Sequence, residues 1–143
     1  MSDNTSRDVP MYSLGKLEKI SLQQQNGDRD KDIQLIDRVE EAQLNNKLVI
    51  NPKQSDLINF KVSINGIVVK DRSGEVVIHR FPLHAIAQIV YYNDPNDKSN
   101  LVFKVGSHDQ LICDCYVFQC IDDVTAVDVC EKLKLYFDIS LNS

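Results

Sequence analysis

The sequence has few of the features that characterise several large classes of protein. It has no tryptophan and only five glycines, and no glycine belongs to a GxGxxG or P-loop pattern, so no loop is suited to holding nucleotide phosphates. No segment approaches the ~18 consecutive apolar residues of a membrane span, and the first ten residues lack the basic and apolar parts of a secretory signal. We therefore expect a soluble intracellular protein that does not insert into a membrane.

Clustered basic charge and catalytic motifs are also missing. Sixteen Lys and Arg residues stand against 21 Asp and Glu residues, which gives a net charge of −5, and the cations are scattered along the chain. Such a balance disfavours binding to nucleic acid. No GxSxG elbow and no HExxH pair is present. We expect no enzymatic activity, no small-molecule substrate and no cofactor.

The four cysteines all lie in the last third of the chain, at Cys113, Cys115, Cys120 and Cys130. In a strand, Cys113 and Cys115 share one face and Cys120 lies on the other, because side chains alternate. A CxC pair followed by single cysteines is not a zinc-ligand spacing, so we expect reduced thiols, with Cys120 and Cys130 in the core, and no metal. A reactive thiol at Cys113 or Cys115 is the alternative, and it would show as rapid alkylation.

With 143 residues, of which 43% are apolar, the chain fits one domain. Residues 1–10 are polar and aperiodic and predict a flexible N-terminal arm, so residues 11–143 are expected to form the domain. A strand is expected over 11–20, and a turn at Asn26-Gly27. A helix is expected over 32–46, capped by Asp32. Its apolar stripe comprises Ile33, Ile36, Val39 and Ala42, flanked by Leu35.

The rest of the chain has the texture of an antiparallel meander that ends in a helix. Turn signals at Asn65-Gly66 and at 71–74 are typical of hairpins. Six short segments rich in β-branched and aromatic residues predict strands over 57–64, 67–70, 76–80, 86–92, 101–105 and 113–120. The closing helix should be capped by Asp122 or Asp123. Seven strands are too many for one flat sheet, so we predict an α+β fold: an antiparallel orthogonal sandwich capped by the C-terminal helix, with an extra helix between strands 1 and 2.

The segment LHAIAQIVYY at 83–92 has apolar residues at both odd and even positions. A strand of this kind needs cover on both faces. It is either a central strand or an edge strand that lies beside the closing helix, and the pattern alone leaves both open. As an edge strand it would offer a line of backbone groups for a docking peptide.

The order of these elements resembles the phosphotyrosine-binding (PTB) domains, which have a pleckstrin-homology-like fold. Within that family the chain is most similar to the integrin cytoplasmic domain-associated group, whose members bind integrin β tails. The resemblance extends over nearly the whole chain from about Leu14. It is carried by LIDRVEEAQLNNKL at 35–48, SINGIVV at 63–69, VIHRFPLHAIAQIVYYND at 77–94, YVFQC at 116–120 and VCEKLKLYFD at 129–138.

The resemblance implies a peptide-binding adaptor. Family members bind an Asn-Pro-x-Tyr (NPxY) segment as an extra antiparallel strand on the fifth strand, beside the C-terminal helix. Unphosphorylated tyrosine is expected, because only Arg80 and either Lys70 or Arg72 could face a phosphate. The implied peptide-binding residues are Leu83, Ile86, Ala87, Gln88, Ile89 and Val90 on the strand side, with Val129, Leu133 and Phe137 on the helix.

A second contact is implied on the first helix. Asp37, Glu40 and Glu41 fall at i, i+3 and i+4 and so cluster on one surface. The resemblance implies that this surface receives a basic Arg-Arg pair from a Krev-interaction-trapped-like scaffold, whereas a plain solvated acidic face is the alternative. The expected location is the cytoplasm, with recruitment to the inner face of the plasma membrane and a nuclear pool left open. The competing function is a phosphoinositide-headgroup module of pleckstrin-homology type.

Overall fold

The computed structural model describes residues 8–21, 31–106 and 112–141, with side chains in the last helix described as far as Tyr136. Two single turns of 3-10 helix, Gln54–Asp56 and Leu83–Ala85, precede the second and fifth strands. The main elements are β1 (Asp8–Ser21), α1 (Lys31–Leu44), β2 (Leu57–Ser63), β3 (Gly66–Lys70), β4 (Val77–Phe81), β5 (Ile86–Asn93), β6 (Ser99–Val105), β7 (Ile112–Cys120) and α2 (Asp123–Leu141).

All seven strands join one antiparallel sheet in the order β4-β3-β2-β1-β7-β6-β5. Two three-stranded meanders, β2-β3-β4 and β5-β6-β7, lie on either side of β1 and leave β4 at one end of the sheet and β5 at the other. Of the two alternatives left open for 83–92, the structure therefore shows the edge strand, which begins at Ile86 after the turn Leu83–Ala85. The predicted fold class, an α+β fold of the PTB and pleckstrin-homology-like type with a helix after strand 1 and a helix at the end, is also confirmed.

The sheet curls so that its two halves face each other. Phe60 on β2 stacks on Phe103 of β6 with ring centroids 5.7 Å apart, although β1 and β7 separate these strands in the sheet. Phe81 on β4 contacts Tyr116 of β7 at 4.6 Å. These aromatic contacts join the halves around a common core, as the prediction of a sandwich requires.

The helix α2 closes the open side of this core. It packs against β2, β6 and β7, and it buries Ala126, Val129, Leu133 and Tyr136 among the sheet residues. Asp122 caps it, because its Oδ1 accepts a hydrogen bond from the backbone N–H of Thr125 at 2.8 Å.

The helix α1 lies on the opposite face of the sheet and contacts β5. Its buried residues are Leu35, Val39 and Ala42, whereas Ile33 is 44% exposed, so the predicted stripe was placed one position out of phase at its start. The predicted cap was also wrong, because the helix begins at Lys31 and Asp32 lies inside its first turn.

Other boundaries shift by only a few residues. β1 begins at Asp8, which pairs with Lys61 of β2, so the strand starts before the predicted residue 11. The expected turn at Asn26-Gly27 and residues 1–7 of the predicted arm over 1–10 lie outside the described residues. Neither described helix is both long enough and apolar enough to cross a membrane.

Candidate functional site

Near the start of the edge strand β5, the alternation of side chains between the two faces of the sheet is interrupted. In its register with β6, Ile86 lies opposite Val105 and Gln88 lies opposite Lys104, so Ala87 is an extra residue in a β-bulge. The bulge puts Ile86 and Ile89 on the same face, toward the core beneath α2. Beyond it, Val90 faces the α1 layer, and Gln88 contacts α1.

The facing wall comes from α2. Cys130, Leu133 and Lys134 fall at i, i+3 and i+4 and so share one face of the helix. Leu133 is 1% exposed and anchors the helix in the core, whereas Cys130 is half-buried and Lys134 is exposed. The wall is therefore apolar at its base and charged at its rim.

Together β5 and α2 enclose an open cavity of about 530 Å³, here called the β5–α2 groove. It contains six of the predicted peptide-binding residues and four that the sequence reasoning did not assign to it. The lining consists of the predicted Ile86, Ala87, Gln88, Ile89, Val90 and Leu133, together with Asp32, Tyr91, Cys130 and Lys134.

Three further predicted site residues lie elsewhere. Leu83 is buried in the core within the 3-10 turn before β5, and Val129 is buried in the core on α2. Phe137 belongs to α2, but its side chain lies outside the described residues. The helical spacing from Leu133 back to Cys130 and on to Lys134 was the one signal that could have identified the missed wall residues.

One hydrogen bond links the groove to α1. The side-chain amide of Gln88 donates to Oδ1 of Asp32 at 2.8 Å, which ties the first turn of α1 to the edge strand. This contact explains how Asp32, distant in sequence, comes to line the groove. The groove thus has a carboxylate near β5 and an ammonium on α2.

The thiols have the environment of core groups. Burial raises the pKa of Cys115 and that of Cys120 to about 12, and burial also raises the pKa of Cys113. Thiolates are the reactive species, so the environment disfavours the reactive-thiol alternative for Cys113 and Cys115. Cys130 is only half-buried and lines the groove, which corrects its assignment to the core, and burial raises the pKa of its thiol as well.

The three acidic residues proposed for a basic partner do not share one environment. Asp37 and Glu41 are exposed, whereas Glu40 is partly buried. Glu41 lines a second cavity, of about 620 Å³, between α1 and β1. That cavity also contains Lys16, Arg38 and Lys47, so the charge around Glu41 is mixed.

The part of the chain that the structure describes contains no candidate metal site. Within those ranges no group of three or more His, Cys, Asp or Glu residues is arranged to hold an ion. His108, one of the three histidines, lies outside the described residues.

Comparison with known proteins places the whole chain in one group. The family described as Beta-1 integrin binding protein matches residues 1–143. The chain is 28% identical over 144 residues to Integrin beta-1-binding protein 1 of Bos taurus, an alignment that covers 99% of this chain and 71% of that protein. It is 29% identical over 142 residues to Integrin beta-1-binding protein 1 of Mus musculus, covering 98% and 70%.

Proposed function

Because the chain belongs to the Beta-1 integrin binding protein family, we propose that it is a non-catalytic adaptor that binds the cytoplasmic tails of integrin β subunits. The ligand is an NPxY segment that adds to β5 as an antiparallel strand. Its partners of this type include a Krev-interaction-trapped-like scaffold. An adaptor with such partners works in the cytoplasm, at the inner face of the plasma membrane where integrin tails emerge.

The observation that carries this proposal is the unpaired outer edge of β5 beside the apolar wall of α2. Backbone N–H and C=O groups at the end of a sheet can pair with an extended peptide, and adjacent pockets can then select its side chains. The other end of the described sheet is β4, whereas the strand that shares a cavity with Cys130, Leu133 and Lys134 of α2 is β5. The strand edge and the helix wall thus coincide at β5.

We infer that binding does not require phosphorylation of the tyrosine. A phosphate group of about −2 charge is typically held by clustered arginines. Among the described residues that line the β5–α2 groove, Lys134 is the one cation. The scaffold would make an additional contact through a basic segment that meets Asp37 and Glu40 on α1.

The test is a fluorescence-polarisation titration with an integrin β-tail NPxY peptide. The unphosphorylated peptide should bind with a dissociation constant in the micromolar range, about −8 kcal/mol. Its Asn-Pro→Ala-Ala control should not bind, and the phosphotyrosine form should bind no more tightly. If neither tyrosine form binds while acidic vesicles bind in a salt-sensitive manner, the lipid-headgroup function is correct instead.

A matched pair of variants tests the site itself. Ile89 is half-buried and lines the groove, so Ile89→Ala removes apolar surface that the peptide would cover, at a cost of about 1–2 kcal/mol or roughly five- to thirtyfold in affinity. Ile78 is 45% exposed on the opposite edge strand, β4. Ile78→Ala should leave peptide affinity unchanged.

Alkylation supplies a second readout for the same pair. Cys130 lines the groove, whereas the three other cysteines are buried. Bound peptide should therefore slow modification of Cys130 by a maleimide in the wild type and in Ile78→Ala. Equal loss of affinity in both isoleucine variants, or no protection of Cys130 by a bound peptide, would place the binding site elsewhere.

A further inference from the structure

The two sides of the β5–α2 groove carry opposite charges. Asp32, held by Gln88, lies beside the face of β5 that is turned toward α1. Lys134 lies on α2, beside the face that Ile86 and Ile89 share. An added strand would thus have one face toward a carboxylate and the other toward an ammonium.

Strand geometry turns this asymmetry into a positional rule. Successive side chains of a strand point to opposite faces of the sheet. In a peptide paired with β5, every second residue would therefore face α2, and the residues between would face the side of Asp32. The two faces of the bound peptide should therefore differ in the charge that they favour.

Lys134 stands apart from the neighbouring lysine of α2. The ammonium of Lys132 pairs with Asp128 at 3.1 Å, one helical turn earlier, and Lys132 does not line the groove. Within the described part of the chain, Lys134 is the one charged residue of α2 that lines it. Its positive charge opposes the burial that raises the pKa of the Cys130 thiol, as expected for two side chains that line the same groove.

We propose that Lys134 is a specificity-determining residue that selects peptides with an acidic side chain at a position facing α2. The inference rests on the proposed function, since it assumes that an extended peptide adds to β5. Electrostatic complementarity of this kind distinguishes between ligands whose backbone contacts are the same. The preferred ligand is an NPxY segment with Asp or Glu at one upstream position that faces α2.

The experiment is a glutamate scan of the upstream half of an NPxY peptide whose other scanned positions are neutral. One glutamate is placed at each position in turn, and each peptide is titrated against the wild type, Lys134→Gln and the matched Lys132→Gln. In the wild type, affinity should rise by about two- to fivefold, the range of an exposed ion pair, at the α2-facing position nearest Lys134, and should not rise at the positions directly before and after it. Lys134→Gln should abolish that rise, and Lys132→Gln should retain it.

Ionic strength provides a further check. The rise should shrink between 50 mM and 500 mM salt, because exposed charges are screened. Binding with no rise at any position, or a rise that persists in Lys134→Gln, would overturn the role of Lys134 while leaving the adaptor function intact. Failure of every peptide to bind would instead overturn the adaptor function.

Discussion

Among single residues, Gly66 shows how closely β3 and β4 meet. Its φ is +125°, and a Cβ added there would lie 2.2 Å from the carbonyl oxygen of Phe81 and 2.9 Å from Cα of Pro82. Both neighbours are backbone atoms, so a larger residue can be accommodated only if the chain moves. We expect Gly66→Ala to lower the free energy of unfolding by about 2–4 kcal/mol, measured by urea unfolding.

Gly74 is the matched control for this substitution. Its φ is +81°, but an added Cβ would meet only the side chain of Asn59 at 3.5 Å, an ordinary contact. Gly74→Ala should therefore cost only the backbone strain of about 1 kcal/mol. Equal losses at the two glycines would show that the close approach to Phe81 has no energetic weight.

Ile86 shows how one side chain can serve two purposes. It lines the β5–α2 groove and is also only 7% exposed, packed in the core. The family resemblance implied it only as a peptide-binding residue. Since its removal would also leave a cavity in the core, with a cost of about 2–5 kcal/mol, Ile89 is the better probe of the groove.

Among the elements, the turn between β3 and β4 depends on one carboxylate. Oδ1 of Asp71 accepts hydrogen bonds from the Ser73 hydroxyl at 2.7 Å and from the Gly74 backbone N–H at 3.0 Å. The Ser73 bond, followed by those from the backbone, lowers the pKa of Asp71 below its ordinary 3.8. The charged form therefore stabilises the turn above that pH, and the stabilisation is lost as the pH falls through the lowered pKa.

Asp71→Asn separates charge from geometry in this turn. The amide oxygen can still accept the hydrogen bonds, so only the effect of the negative charge is removed. The wild type should have the higher melting temperature at pH 5–7, and the two melting temperatures should converge well below pH 3.8. A difference that stays constant across this range would assign the effect to shape and not to charge.

In the whole molecule, the curl of the sheet partly buries a histidine between its two halves. His79 on β4 stacks on Phe81 at 5.5 Å and meets Tyr116 of β7 at 5.0 Å. Burial, and then the charge of Lys16, lower its pKa below 6.5. Below pH 6.5 the unfolded chain binds a proton that the folded chain resists, so acidification should reduce the free energy of unfolding.

His79→Phe tests this contribution, because phenylalanine keeps the ring in the stack and cannot titrate. Urea unfolding between pH 7.5 and 5 should show a shallower decline in stability for the variant than for the wild type. In the wild type, the NMR titration midpoint of the His79 ring should lie below 6.5. A midpoint at or above that value would mean that burial between the strands does not disfavour the charged ring.

Local chemistry was enough to predict most of the fold. β-branched and aromatic runs gave the strands, and the glycine turns gave hairpins, because both depend on backbone preferences within a few residues. The sequence predicted that either Asp122 or Asp123 caps α2, and in the structure the cap is Asp122. The start of α1 was misjudged, because Ile33 and Leu35 are equally apolar and only packing decides which of them is buried.

The sequence by itself thus determined the strands, the turns, the two helices and the absence of catalytic motifs. Only the tertiary structure decided that β5 lies at the end of the sheet, since a strand apolar at both parities suits an edge under a helix as well as a centre. It also decided the lining of the groove. The bulge at Ala87 changes which face of the sheet the following side chains of β5 point to, and the orientation of α2 brings Cys130 and Lys134 toward that strand. Both features depend on contacts between residues far apart in the chain.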